Sequence, residues 1–295
     1  MSQSTADLDR STATDAPFSR VCAVTEIPAE AAGAGRYLGE IEPIWTIGAK
    51  VHGGTMVAGS AAAATRWLHT VEPELTAMAP IAASSDFLGA PDAGQVEYAV
   101  RIRKVGRQIC LVDAELTQGD RTMVRTAFTF GALDDAEPIY APQHGDMPAE
   151  PTADAIGYEP GSPMGKIVNV AKGADVFMDR TWARFLDGDH AAEPRLRLWM
   201  RPRAGDAGDP AVAAYFAMMA ADMSPPVAMN RGHFGWAPTV QMTTYLRRRP
   251  VPGWLRIIAT THEIGGRMFD EDQLVLDSTG AVVAQSRQLA LIPQR

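Results

Sequence analysis

"GGTMVAGSAAAATRWLHTV", Gly53 to Val71, is rich in alanine and holds no proline. Alanine has the highest helix propensity of any residue, so the segment predicts a helix. A helix apolar on every side has to be buried, and its Gly and Ala positions let neighbouring backbones approach closely. A sheet wrapped around this helix satisfies both conditions. Four runs follow that can supply it, "PIAASSDFL", "QVEYAVRIRKV", "RQICLVDAELTQG" and "RTMVRTAFTFG". In the second of these Val96, Tyr98, Val100 and Ile102 alternate with charged or small residues, the period of a half-buried strand. Turn signals at Gly94, Gly106 and Gly119-Asp120 separate the runs.

The same order returns later in the chain. "RLRLWMRP" (Arg195 to Pro202) alternates as a strand, and "DPAVAAYFAMMAADM" (Asp209 to Met223) reads as a second apolar helix. Asp209 is its expected N-cap and Pro210 its first helical residue. Strands are expected at "PTVQMTTYLRR", "GWLRIIATTHEI", "GRMFDEDQLVLD" and "AVVAQSRQLALI", with the turn "DSTG" (Asp277 to Gly280) mirroring "TQGD" of the first half. The fold class is therefore α+β and duplicated. Residues 133–173 are rich in Pro, Gly and acids and read as a linker, anchored by residues such as Ile139, Tyr140 and Tyr158. The organisation expected is a polar tail at 1–16, a first domain at 17–132, the linker, and a second domain at 174–295.

Composition excludes several function classes. A formal net charge of −8 argues against nucleic acid as a partner, and the one tight basic run is Arg247-Arg248-Arg249. Two cysteines, Cys22 and Cys110, make neither a disulfide framework nor a metal site, which fits reduced thiols in the cytoplasm. No segment has the apolar length of a membrane span. The polar, acidic start of the chain lacks the pattern of a signal peptide. "GAGRYLG" (Gly33 to Gly39) has the wrong spacing for a dinucleotide loop. "HEIGG" (His262 to Gly266) lacks a second histidine, no G-x-S-x-G elbow is present, and the six histidines are scattered. Neither a cofactor nor a metal is expected.

The second half carries polar groups where a core would take none. Asp222 ends the buried helix, and a carboxylate there must cap, pair, face solvent or work. Thr239 opens a strand in which Thr239, Gln241 and Thr243 are expected to share one face. Gln288 shares a face of the last strand with Ser286, Ala290 and Ile292. The plain alternatives are an exposed helix-end carboxylate, an ordinary strand threonine and a surface glutamine.

With these residues in view, the chain resembles the type II acyl-CoA thioesterases, the TesB-like tandem or double hotdog proteins. The resemblance rests on "KVHGGTMVAGSAAAA", "SSDFLGAP" and "VRIRKVGRQICLVDAEL" in the first half. In the second half it rests on "YFAMMAADMSPP", "TVQMTTYLRR" and "GAVVAQSRQLALI". It implies two antiparallel sheets, each wrapped around a central apolar helix, and hydrolysis of fatty acyl-CoA to free acid and CoA. In that family an Asp, a Thr or Ser and a Gln hold a water, and the match gives Asp222, Thr239 and Gln288. Asp222 and Thr239 lie 17 positions apart (239 − 222), short for that family's loop, so Thr243 and Thr244 remain alternatives to Thr239. His52, Gly53 and Gly54 are the expected substrate contacts, with His52 as a structural cap of the turn the competing reading. Phe216, Met218, Met219, Met223 and Trp236 are candidate lining for the acyl chain, and Arg247 to Arg249 for the phosphates of CoA. A homo-oligomer, a dimer of double hotdogs, is a further implication.

Two other functions bear on the same residues. "DMSPPV" (Asp222 to Val227) is similar to the loop of hotdog hydratases, but Ser224 and Val227 replace its Asn and His, which breaks the catalytic pair. An acyl-CoA or lipid-binding hotdog protein with little or no turnover is the non-enzymatic alternative.

Overall fold

The computed structural model describes residues 15–29, 33–134, 136–142, 144, 146–159 and 161–293. Most of the expected tail, residues 1–14, lies outside them. At its end, the carbonyl of Asp15 accepts from the N–H of Gly205 at 3.1 Å. The first half contributes α1 (Pro17–Cys22), β1 (Thr25–Glu26), β2 (Ala34–Ile41), β3 (Thr46–Ile47), β4 (Lys50–Val51) and α2 (Gly53–Val71), then β5 (Ala79–Phe87), β6 (Gly94–Lys104), β7 (Cys110–Gln118) and β8 (Arg121–Gly131). The rest of the chain contributes β9 (Ile156–Gly157), β10 (Ala174–Met178), β11 (Leu196–Pro202), α3 (Pro210–Ala220), β12 (Thr239–Leu246), β13 (Leu255–Thr260), β14 (Met268–Leu276) and β15 (Val282–Leu291).

Helix α2 coincides with the alanine-rich segment, and twelve of its residues from Gly54 to Leu68 are buried. Helix α3 starts as its sequence requires: the Asp209 side chain accepts from the N–H groups of Ala211 and Val212, with Pro210 next in line. Its apolar surface is spent on burial, because Phe216 through Ala221 are at most 1% exposed.

The expectation of two separate sheets is corrected. The strands form a single 13-stranded antiparallel sheet in the order β1-β2-β6-β7-β8-β5-β12-β15-β14-β13-β11-β10-β9, with β3 and β4 forming a small pair of their own. The halves join where β5 pairs with β12, from Gln241 opposite Asp86 to Tyr245 opposite Ala82. Each of these strands would otherwise end its half with a row of unpaired N–H and C=O groups, and pairing them removes both edges. Both helices lie on one face of this sheet and touch each other. The approach is so close at one point that a Cβ on Gly54 would stand 2.5 Å from the Met219 carbonyl oxygen.

Of the three anchors expected in the stretch from 133 to 173, Tyr158 is buried and the other two are not. Ile139 and Tyr140 are exposed, whereas Met147, Tyr158 and Val168 are buried. Met147 packs with Trp199 and Trp254 in a small second core apart from the main one. The Trp199 indole N–H donates to the carbonyl of Pro148 at 2.8 Å, and Arg256 Nη1 donates to that of Met147 at 3.0 Å. "GAGRYLG", set aside as a dinucleotide loop on its spacing, supplies most of β2.

Candidate active site

Three elements meet where α3 ends. Asp222 follows the last turn of α3, and its side chain is only 8% exposed. One of its oxygens, Oδ2, accepts the N–H of Gly54 at 2.7 Å, at the N-terminus of α2. A helix N-terminus offers unpaired N–H groups and positive potential, a natural seat for a carboxylate. Gly53 is needed beside it, since a Cβ there would come within 2.6 Å of Oδ2. Burial raises the Asp222 carboxyl above its ordinary value, against the smaller opposing effects of His52 and the Gly54 N–H.

His52, immediately before α2, ties the same corner. Its Nε2 lies 2.9 Å from the carbonyl oxygen of Asp222 and its Nδ1 lies 3.1 Å from the Thr55 hydroxyl. A carbonyl can only accept, so Nε2 carries a hydrogen and donates it. Nε2 also stands 3.5 Å from Asp222 Oδ2. His52 thus braces the segment that carries the carboxylate, and Gly54 spends its amide on that carboxylate.

Thr239 and Gln288 are in direct contact: the threonine hydroxyl donates to Gln288 Oε1 at 2.6 Å. The expectation that Thr239 shares a face with Gln241 and Thr243 is overturned. Thr239 pairs with Ala290 and Gln241 with Leu289, so Val240 bulges out of the ladder. The bulge inverts the alternation, because the side-chain period of a strand is two. Thr239 therefore joins the helix-facing side with Met242 and Thr244, while Gln241 bonds Thr243 and Ser84 on the other side. Of the alternatives, Thr243 faces away from Gln288, and Thr244 faces the helices but is buried with its hydroxyl unpartnered. Gln288 is buried beside Ser286 and Ala290, as its strand pattern requires.

A fourth polar residue, missed in the sequence, bonds Gln288 and lies within electrostatic reach of Asp222. Glu271 of β14 sits directly opposite Gln288 and is completely buried. Its Oε1 accepts from Gln273 Nε2 at 2.8 Å and from Gln288 Nε2 at 3.3 Å, and its Oε2 accepts from the N–H of Val227 at 2.9 Å. Burial pushes its carboxyl up to about 8, its N–H donors oppose this, and the nearby Asp222 raises it further. The signal was present in "RMFDEDQLVLD": the alternation that buries Phe269 and Val275 carries Glu271 and Gln273 inward with them.

The remaining candidates are spread apart. Phe216, Met218, Met219 and Met223 are buried core, and Trp236 is 52% exposed. Arg247 to Arg249 follow the far end of β12, roughly 26 Å along the strand from Thr239 at about 3.3 Å per residue. An open cavity of about 1000 Å³ is lined by outward-facing residues of β12 to β15 such as Gln241, Thr243 and Arg287, together with Gln273 and Ser286. A smaller one, about 160 Å³, lies between α3 and the loop Pro250 to Gly253. Neither is lined by Asp222, Thr239 or Gln288.

An antiparallel sheet over two buried, mutually packed helices, built by duplication, is a hotdog architecture, and solved hotdog structures match it along nearly the whole chain. A hotdog-fold protein of Alicyclobacillus acidocaldarius aligns with a TM-score of 0.72 at 17% identity, over 94% of this chain and 98% of the other. The family follows from sequence: residues 41–131 match the acyl-CoA thioesterase N-terminal domain and residues 142–292 the acyl-CoA thioesterase C-terminal domain. The chain belongs to the acyl-CoA thioesterases, a family of thioester hydrolases. It is 39% identical over 270 residues to an uncharacterized protein of Mycobacterium tuberculosis, covering 86% of this chain and 90% of that one. It is similar to a proposed thioesterase II of Thermobifida fusca, with a TM-score of 0.79 and 27% identity over 95% of this chain and 99% of that chain.

Proposed function

We propose that the protein hydrolyses fatty acyl-CoA thioesters with a water held between Asp222, Thr239 and Gln288. The observation that carries this is the Asp222 carboxylate, buried at the junction of α3 with the α2 N-terminus and raised in pKa by that burial. A thioester is activated enough that an oriented water suffices, with no covalent enzyme intermediate. Asp222 takes a proton as the water oxygen bonds to the carbonyl carbon, and returns it to sulfur as the C–S bond breaks. Thr239 and Gln288 fix the direction of the water, since positioning is a large share of the barrier. The thioester lies against the turn His52-Gly53-Gly54. As the first residue of α2, Gly53 has an amide with no partner within the helix, a donor for the developing oxyanion.

Release of thiol from a panel of acyl-CoAs, wild type against Asp222→Ala, tests this. A wild type that releases no thiol, or an Asp222→Ala variant that turns over normally, would overturn it. A second reading, an acyl-CoA or lipid-binding protein with little turnover, has its own support. The polar groups of the site are already satisfied by one another, Gly54 by Asp222 and Thr239 by Gln288. Saturable acyl-CoA binding without thiol release is its signature. Self-association of the double hotdog belongs to the same proposal, motivated by the exposed apolar side chains of Val240, Met268, Leu289 and Leu291, and is read by sedimentation.

A further inference from the structure

Glu271 is a completely buried carboxyl for which the hydrolytic proposal has no role. Its three hydrogen-bond donors, the Gln273 and Gln288 side-chain amides and the Val227 N–H, are all uncharged. From the segment after α3 it faces another acid, Asp222, and behind Asp222 stands His52. A carboxyl in such a place is costly to bury, so a structural role alone is a poor account of it.

What Glu271 does to its neighbours is specific. A side-chain amide has one accepting and one donating end, and either can face Thr239. Glu271 Oε1 accepts also from Gln273, and Gln273 is fixed in turn, because its own oxygen accepts the N–H of Ser224 at 3.3 Å. Gln273 thus presents its donor to Glu271 Oε1, which is left as an acceptor for the amide opposite. Gln288 must turn its nitrogen to Glu271 and its oxygen to Thr239. Thr239 then spends its only hydrogen on Gln288, and the lone pairs of its own oxygen remain free.

We propose that Glu271 is a positioning residue that locks the Gln288 amide and, through it, makes Thr239 an acceptor toward the reacting water. A water that gives one hydrogen to Thr239 and the other to Asp222 keeps a lone pair for the thioester carbon. With the amide reversed, Thr239 would donate to that lone pair and blunt the nucleophile. The inference rests on the hydrolytic reading for its consequence and on the Ser224-Gln273-Glu271-Gln288-Thr239 chain for its geometry, and the two parts are tested separately.

The first measurement is steady-state kinetics of Glu271→Met, which removes the acceptor at similar volume, and of Glu271→Gln. Both should lower kcat by about 10- to 100-fold, with KM within about 2-fold, in variants whose amide NMR spectra show a native fold. The second needs no turnover: the side-chain N–H signals of Gln288, assigned from their loss in Gln288→Glu, are followed from about pH 6 to about pH 10. They should shift as Glu271 ionises in the wild type and stay still in Glu271→Gln. Gln288 signals that do not move in the wild type, or folded Glu271 variants with wild-type kcat, overturn the inference. A wild type without thiol release, whose Gln288 signals do titrate, overturns the hydrolytic reading and leaves the lock in place.

Discussion

The hydroxyl of Thr239 reaches Oε1 of Gln288 at 2.6 Å because one residue, Val240, is looped out of β12. With Val240 paired in the ladder instead, the two side chains would lie on opposite faces of the sheet. Deleting Val240 removes the extra residue and leaves Thr239 opposite Ala290 on the helix-facing side, so thiol release should survive the deletion. Thr239→Val, which removes the hydroxyl at similar volume, should lower thiol release by about 10-fold or more, while Thr239→Ser keeps most of the activity. Equal activity in Thr239→Val and the wild type would remove Thr239 from the site.

Asp222 offers the most direct test. Asp222→Asn keeps an oxygen that can accept the Gly54 N–H but cannot take a proton from water. The expected loss in kcat is about 10²- to 10⁴-fold, the range of a general base, with little change in melting temperature. The acid limb of the wild-type rate profile should lie above the ordinary range of an aspartate, because burial raises this carboxyl. Rates that rise with pH only through the ordinary aspartate range would place the base in solvent.

Gly54 carries a different burden. A methyl group there meets the Met219 carbonyl oxygen at 2.5 Å and Asp222 Cβ at 3.0 Å. The first contact is backbone, so α2 and α3 have to separate. Gly54→Ala should cost about 1–3 kcal/mol and lower the melting temperature by about 2–4 °C for each. Thermal denaturation reads it, and a variant as stable as the wild type would mean that the helices are less tightly apposed.

Much of this was legible in the sequence, and the gaps have physical causes. Helix α2, the Asp209 cap and the strand containing Gln288 follow local rules of propensity, capping and period, and local rules are written in neighbouring residues. The joining of β5 to β12 is a long-range pairing with no local mark. The bulge at Val240 has no sequence signal either, since valine is an ordinary strand residue, and so regular alternation puts Thr239 on the wrong face. Glu271 was overlooked for another reason. It sits between Asp270 and Asp272, and three acids in a row resemble a solvated turn unless the burial of Phe269 and Val275 is followed through.

The charge of Glu271 gives a prediction in stability as well as in rate. Its carboxyl is pushed up from 4.5 to about 8 in the folded chain, mainly by burial. The native state therefore holds a proton that the unfolded chain has already released, and stability falls as pH rises wherever the native state binds more protons. The fall should begin near pH 4.5 and be complete just above about 8. Glu271→Gln has no such proton to hold. It does introduce an amide that faces the Val227 N–H with its own donor or reverses the Gln288 amide, a cost independent of pH. The informative quantity is thus the melting temperature of Glu271→Gln minus that of the wild type, compared at about pH 5 and about pH 9. It should be more positive at the higher pH by several degrees. A difference that is the same at both values would mean that Glu271 is already ionised in the folded protein, held by its three N–H donors alone.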